Sequence, residues 1–236
     1  MSRAIILAGG LGTRLRPYTV VLPKPLMPVG DRPVLDIVVR QLRRDDFQHI
    51  TVATGHLAEL IEAFFRDGAQ YDVAIDYFRE HEPLGTVGAL ALIDGLDDDF
   101  LVMNGDIVTD MSYAQLLADH RANDAIATRS RPVEVSLGVM EFDDDDPTRL
   151  SDYIEKPVLD FQASMGVYCF APRVVEYIEP GVRLDFPDLV LRLIAAGEVV
   201  RAWRSDAFWL DIGRPGDYEQ AQDDVTRLTE RLLPPE

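Results

Sequence analysis

Through the first half of the chain, short unbroken apolar runs alternate with stretches whose apolar positions recur every third or fourth residue. The runs read as strands buried on both faces, and the recurring pattern reads as amphipathic helices. Ala4-Ile5-Ile6-Leu7-Ala8 is the first run, and it breaks directly into Gly9, Gly10 and Gly12. Asp31 can cap a helix with Pro33 in its first turn and with Val34, Leu35, Val38, Val39 and Leu42 on its apolar face. Ile50 to Thr54 is the second strand, Leu57 to Phe65 a helix ended by Gly68, and Val73 to Phe78 the third strand. Thr86 to Leu92 then reads as a glycine-punctuated helix start, and Phe100 to Met103 as a fourth strand entering Asn104-Gly105-Asp106.

The second half is less regular. Val133 to Phe142, Leu150 to Glu155 and Ala163 to Ala171 read as strands, with a loop at 143–149. Pro172 to Ile178, Asp185 to Ala196 and the tail after Pro215 read as helices, and Val199 to Arg204 as a further strand. Strands alternating with helices on short connections predict an α/β fold. It is a mostly parallel sheet with helices on both faces, and ligands gather at the carboxyl ends of its strands.

Composition narrows this picture. At 236 residues and 47% hydrophobic, one domain spanning 1–236 is expected. Neither a spanning apolar run nor a signal pattern is present, so a cytoplasmic protein with no membrane partner is expected. A net charge of −18 argues against nucleic-acid binding, which depends on phosphate-backbone attraction, yet leaves room for a small basic pocket. The single cysteine, Cys169, lies in an apolar run and reads as packing. His49, His56, His81 and His120 have no metal-like spacing, and the acidic runs at 97–99 and 143–146 read as solvated loops.

Candidate chemistry begins at the first loop. Exposed N–H groups of Gly9, Gly10 and Gly12, the Thr13 hydroxyl, and the charges of Arg14 and Arg16 converge at a strand end, which is a polyanion cradle. It is not a P-loop, because Thr13-Arg14 follows Gly12 where Lys-Ser/Thr would be needed. A dinucleotide fingerprint also fails, since Leu15 stands where its third glycine belongs. Lys24 and Lys156 are the only lysines among 23 basic residues, and both precede proline, in Pro23-Lys24-Pro25 and Glu155-Lys156-Pro157. The first of these loops is expected to be extended and stiff. A compact ammonium suits one crowded phosphoryl oxygen better than a guanidinium does. Asp106 and Asp211 each end an apolar run. Two such acids can share a hard divalent ion with phosphate oxygens, whereas separately each is an ordinary turn residue.

Six stretches in order now resemble one family: Leu7-Ala8-Gly9-Gly10-Leu11-Gly12-Thr13-Arg14-Leu15, Pro23-Lys24-Pro25, Leu84-Gly85-Thr86, Asn104-Gly105-Asp106, Glu155-Lys156-Pro157 and Trp209-Leu210-Asp211-Ile212-Gly213. They resemble the sugar-1-phosphate nucleotidylyltransferases, over nearly the whole chain. The resemblance implies a Rossmann-like, doubly wound sheet, with a nucleotide-binding half at about 1–110 and a sugar-phosphate-binding half at about 111–236. By the same resemblance Ala8, Gly9, Gly10, Gly12, Thr13, Gly85 and Thr86 hold an NTP, and Arg14 and Lys24 act on its phosphates. Asp106 and Asp211 bind Mg²⁺; Gly138, Glu155, Lys156 and Gly166 hold a sugar 1-phosphate. The Glu82-to-Gly88 loop looks most like that of mannose-1-phosphate guanylyltransferases and implies GTP, with other bases and sugars as alternatives. Ser164-Met165-Gly166 replaces the Asn-Ala-Gly common in the family. No β-helix or acyltransferase extension is visible, so the minimal catalytic form is expected, with a homo-oligomer left open. A nucleotide-sugar-sensing subunit and a glycosyltransferase are the rivals from other classes.

Overall fold

A computed structural model describes residues 2–120 and 124–233. Strand β1 (Ser2–Ala8) leads into the glycine loop, and a two-residue pairing of β2 (Pro28–Val29) with β3 (Arg32–Pro33) precedes helix α1 (Val34–Arg44). Then come β4 (Phe47–Thr54), α2 (Ala58–Phe65), β5 (Ala74–Arg79), β6 (Phe100–Asn104), β7 (Ile107–Thr109) and α3 (Tyr113–His120). The second half holds β8 (Asp124–Glu134), β9 (Val139–Phe142), β10 (Leu150–Ile154), β11 (Val158–Phe170), α4 (Phe186–Ala195), β12 (Val200–Arg204), β13 (Trp209–Asp211) and α5 (Pro215–Leu232).

Seven strands form the central sheet in the order β12-β8-β11-β6-β1-β4-β5, and within it only β11 pairs antiparallel to its neighbours. An interior strand of this sheet, β1, reads as an unbroken apolar run for a structural reason. Ala4 and Ile6 face one core with α1, α2 and α3, while Ile5 faces a second core with α4. Burial on both faces leaves no polar alternation to see. The chain leaves β1 toward β4 on one side and reaches β6 on the other, so a crevice opens at the carboxyl ends of β1 and β6. A third apolar cluster packs α5 against α1 and the glycine loop through Leu15, Met27, Ile37 and Val225. No described helix is long and apolar enough to cross a membrane.

Several local expectations change. Asp31 is exposed and caps nothing; Pro33 occupies the N-cap position of α1, because Arg32–Pro33 pairs with Pro28–Val29 and holds the chain extended there. Helix α2 ends at Phe65, where Arg66 takes φ 52, two residues before Gly68. The stretches at 86–92 and 172–178 form 3-10 turns, Gly88–Leu92 and Pro172–Tyr177, rather than α-helix. The strand expected over 133–142 is two strands, β8 and β9, broken at 135–138. Helix α3 and the first part of β8 have no counterpart in the sequence reading. Cys169 is buried as expected, and burial pushes its thiol far up.

Gln41 locks the elements that carry the site. It is fully buried on α1, its Nε2 donates to the carbonyls of Thr109 and Leu232 at 2.7 Å each, and its Oε1 accepts from the Tyr113 hydroxyl at 3.2 Å. Those bonds tie β7 and the end of α5 to one side chain. Gln41→Met keeps the volume and leaves two carbonyls and a hydroxyl unpaired, so urea unfolding should show a loss of about 2–4 kcal/mol. A loss within about 0.5 kcal/mol, as at an ordinary surface position, would mean the bonds are replaced by water.

Candidate active site

A cavity of about 510 Å³ lies at the carboxyl ends of β1 and β6. Its floor is Ala8 through Arg14, so Gly9, Gly10, Gly12 and Thr13 all face it, with Leu15 N–H donating to the Gly12 carbonyl at 2.9 Å to close the turn. Gly85 and Thr86 form the opposite wall. Gly85 must be glycine: it has φ +78, and an added Cβ would lie 2.5 Å from the Leu184 carbonyl oxygen. Thr86 is committed to the fold as well, since its hydroxyl accepts from the Phe186 N–H at 2.6 Å and its own N–H donates to Asp185 Oδ1 at 3.2 Å. Both bonds fix the start of α4 against the cavity wall.

The acidic end of the cavity is built by strand pairing. β13 pairs antiparallel with β7, setting Asp211 opposite Ile107, and the Ile212 N–H donates to the Asp106 carbonyl at 3.1 Å. Two carboxylates far apart in sequence therefore meet. Lys24 stands between them, in ion-pair contact with Asp106 and with its Nζ 3.7 Å from Asp211 Oδ1. The loop that carries it is a 3-10 turn over Lys24–Leu26, not the extended segment expected. Leu26 N–H donates to the Pro23 carbonyl at 2.8 Å and Met27 N–H to the Lys24 carbonyl at 3.0 Å. Pro23 itself remains extended, at φ −64 and ψ 143.

Two oxygens at this end, Asp106 Oδ1 and Asp211 Oδ1, are buried without a hydrogen-bond donor among the described residues. Burial, and then the neighbouring Asp106 carboxylate, push the Asp211 carboxyl above its ordinary value; Lys24 and Arg14 pull it down. Such a site favours a cation. Hard carboxylate oxygens, partly unsatisfied and opening on a phosphate-sized cradle, fit a magnesium ion, which takes one or two carboxylates and completes its shell with water and phosphate. Gly166 adjoins this end with φ +70, packed so closely that a Cβ would lie 2.7 Å from Asn104 Nδ2. Trp209 Nε1 donates to the Met165 carbonyl at 2.7 Å, which fixes that turn.

Gly138, Glu155 and Lys156 lie elsewhere. They belong to the β9–β10 hairpin and its flanks, with Glu155 and Lys156 exposed, Lys156 at φ 46, and Gly138 against the Tyr153 ring. None of the three lines the glycine cavity. Glu80, Arg183 and Asp185 do line it and were missed. Burial pushes the Glu80 carboxyl up, while the Leu84 N–H bonded to it at 3.1 Å opposes this. Local signals put Asp185 at a helix start but gave none of the three a site role, because their meeting depends on long-range bonds: the Glu80 N–H donates to the Thr54 carbonyl at 2.8 Å, and the Leu184 N–H, between Arg183 and Asp185, to the Leu84 carbonyl at 2.9 Å.

A family model described as nucleotidyl transferase matches residues 3–227 of this chain. The chain belongs to the nucleotidyl transferase family. Relatives of the chain include a UTP–glucose-1-phosphate uridylyltransferase of Synechocystis, 36% identical over 93% of the chain and 62% of that protein. A mannose-1-phosphate guanylyltransferase of Mycobacterium tuberculosis is 32% identical over 95% of the chain and 64% of its own length. Among solved structures, HddC from Yersinia pseudotuberculosis complexed with GMP-PN matches with a TM-score of 0.72 and 25% identity, covering 95% of this chain and 99% of that one. The chain thus spans less than two thirds of the length of these two curated relatives.

Proposed function

We propose that the protein transfers a nucleotidyl group from an NTP to a sugar 1-phosphate and releases pyrophosphate. The observation that carries this reading is the meeting of Asp106, Asp211 and Lys24 beside the glycine cradle. An oxygen of the sugar phosphate forms a bond to the α-phosphorus of the NTP while the bond to the β-phosphate oxygen breaks, and that electron pair leaves with pyrophosphate. The chain holds no covalent nucleophile at this point, so its work is positioning and charge neutralisation. Backbone N–H groups of the Gly9-to-Thr13 loop hold phosphate oxygens, Arg14 adds a forked cation, and Lys24 turns its ammonium from the carboxylates to a phosphoryl oxygen. Asp106 and Asp211 would hold Mg²⁺, which when bound supplies Lewis-acid neutralisation of the phosphates.

GTP with mannose 1-phosphate is the proposed pair, supported by the Glu82-to-Gly88 loop and by the guanylyltransferase relative. UTP with glucose 1-phosphate is the second reading, favoured by the relative at 36% identity. Glu155 and Lys156 are proposed to reach the sugar, a role that requires the exposed β9–β10 hairpin to close toward Asp211. Pyrophosphate release tests the reaction: GTP, UTP, dTTP, CTP and ATP are each mixed with mannose 1-phosphate and glucose 1-phosphate. The highest kcat/KM is expected for GTP with mannose 1-phosphate. A clear preference for a pyrimidine refutes the base, and no release with any pair leaves a sensing subunit as the better account.

A further inference from the structure

Among the described residues, three cations line the glycine cavity, Arg14, Lys24 and Arg183, and so do three carboxylates, Glu80, Asp106 and Asp185. These charges balance, so a polyanion is favoured only where single cations can be brought onto it. Arg14 and Lys24 stand on the side of the glycine loop, and Lys24 is already engaged by Asp106 and close to Asp211. Arg183 belongs to the opposite wall, next to the Leu184 carbonyl that packs on Gly85.

The backbone beside Arg183 is fixed while its side chain is not. Leu184 donates its N–H to the Leu84 carbonyl at 2.9 Å and accepts from the Val87 N–H at 3.1 Å, which stitches this loop to the Gly85–Thr86 wall. The Arg183 side chain is 68% exposed, and among the described residues its guanidinium makes one hydrogen bond, from Nη2 to Asp185 Oδ2 at 3.0 Å. A guanidinium carries five N–H donors, so most of this one is met by solvent. An exposed ion pair of this kind is weakly held. Asp185 also accepts from the Thr86 N–H through Oδ1, at 3.2 Å, so Arg183 can leave Oδ2 without undoing that bond.

We infer that Arg183 is a nucleotide clamp: when an NTP binds, its guanidinium leaves Asp185 and forks onto the phosphate chain from the wall opposite the glycine loop. The inference rests on the proposed reaction, which makes the guest an NTP. That reaction depends on positioning and charge neutralisation, and cations on one wall alone would hold the phosphates from one side. Exchanging one carboxylate oxygen for two phosphate oxygens uses the fork that Asp185 leaves unfilled. Asp185 thereby has two roles. Through Oδ1 it fixes Thr86, and through Oδ2 it holds Arg183 at the rim and cancels a charge that would otherwise repel the nucleotide. An arginine that only masked Asp185 would become dispensable once Asp185 is neutral, whereas a clamp would not.

Calorimetry with GTP, UTP, dTTP, CTP and ATP, in Mg²⁺ and without sugar phosphate, tests this on wild type, Arg183→Gln, Asp185→Asn and the double variant. Arg201→Gln, exposed on β12, is the control. For the nucleotide bound most tightly, Kd should rise at least about tenfold in Arg183→Gln, matching the loss of a charge-assisted fork, with the melting temperature unchanged. Asp185→Asn keeps an oxygen for the Thr86 N–H and should bind at least as tightly as wild type. The double variant should remain at least about fivefold weaker than Asp185→Asn, because the lost contact is not restored by removing the carboxylate. Equal affinity of those two variants would reduce Arg183 to a mask and overturn the inference. Inorganic tripolyphosphate, displacing the nucleotide, should weaken in Arg183→Gln by a similar factor; unaltered displacement assigns Arg183 to the base or ribose and also overturns it. If turnover is normal and Arg183→Gln keeps the wild-type Kd, the clamp falls and the reaction stands. If the expected pattern of binding appears but no NTP yields pyrophosphate with either sugar phosphate, the reaction falls and the clamp stands. Failure of the wild type to bind any of the five NTPs overturns the clamp.

Discussion

Asp106→Asn and Asp211→Asn are each expected to lower kcat/KM by at least about 100-fold, a barrier increase of roughly 2.7 kcal/mol. Charge develops across the phosphates as the α-phosphorus is transferred, and a divalent ion held by two carboxylates is the largest local means of neutralising it. An asparagine amide keeps the shape and one oxygen but loses the charge that holds the ion. Stability should move the other way for Asp211. Its carboxyl is raised above its ordinary value, chiefly by burial and then by Asp106, so the ionised form costs stability once the pH exceeds the raised value. Without metal, the wild type should therefore lose stability as the pH rises through that window, and Asp211→Asn should melt at or above the wild-type temperature at pH 7. Steady-state assays with and without EDTA, alongside melting curves, read both effects. Full turnover of either mutant in EDTA would sink the metal assignment.

Lys24→Arg is the second large effect expected, at least about tenfold in kcat/KM. An error of about 1 Å in placing a phosphate can cost on the order of 100-fold in rate. The chain uses arginine at all but two of its 23 basic positions, so charge alone does not account for a lysine here. The ammonium is nearly buried, in contact with Asp106 and close to Asp211, on a turn pinned by two backbone hydrogen bonds. A guanidinium in that space would fork onto both carboxylates and hold them against a metal, where an ammonium can leave one oxygen at a time. Mn²⁺ affinity measured by electron paramagnetic resonance should therefore weaken in Lys24→Arg and strengthen in Lys24→Met. The melting temperature of Lys24→Arg should stay near wild type. Wild-type kcat/KM in the arginine variant would mean that this lysine is only a charge.

The central sheet and the glycine-lined wall of the cavity were legible because their signals are local. Ala4 to Ala8 is apolar throughout since both faces of β1 are covered, and Gly9, Gly10 and Gly12 follow at once where a strand must give way to a ligand. Lys24 stood out by scarcity in a proline-framed turn, and Asp106 by ending an apolar run. Even so, local signals misplaced details that tertiary contacts decide. Asp31 had the right chemistry for a cap, but the β2–β3 pairing put Pro33 in its place. Helix α3 has a short, mixed face and gave no usable period, although its Tyr113 is among the largest buried side chains.

By itself the sequence determined a mostly parallel α/β sheet and a glycine loop at its first strand end. Only the tertiary structure decided which residues meet. Asp106 and Asp211 meet because β13 lies antiparallel on β7, and Arg129, Arg131 and Arg214 line one cavity although they come from β8 and the start of α5. Glu155 and Lys156 carry an equally clear motif, yet they stand exposed on the β9–β10 hairpin outside both cavities. Period and turn chemistry act over about ten residues, whereas the meeting of strand ends depends on strand order and register. Those are set by how the whole chain buries its apolar faces, and no single segment contains that information.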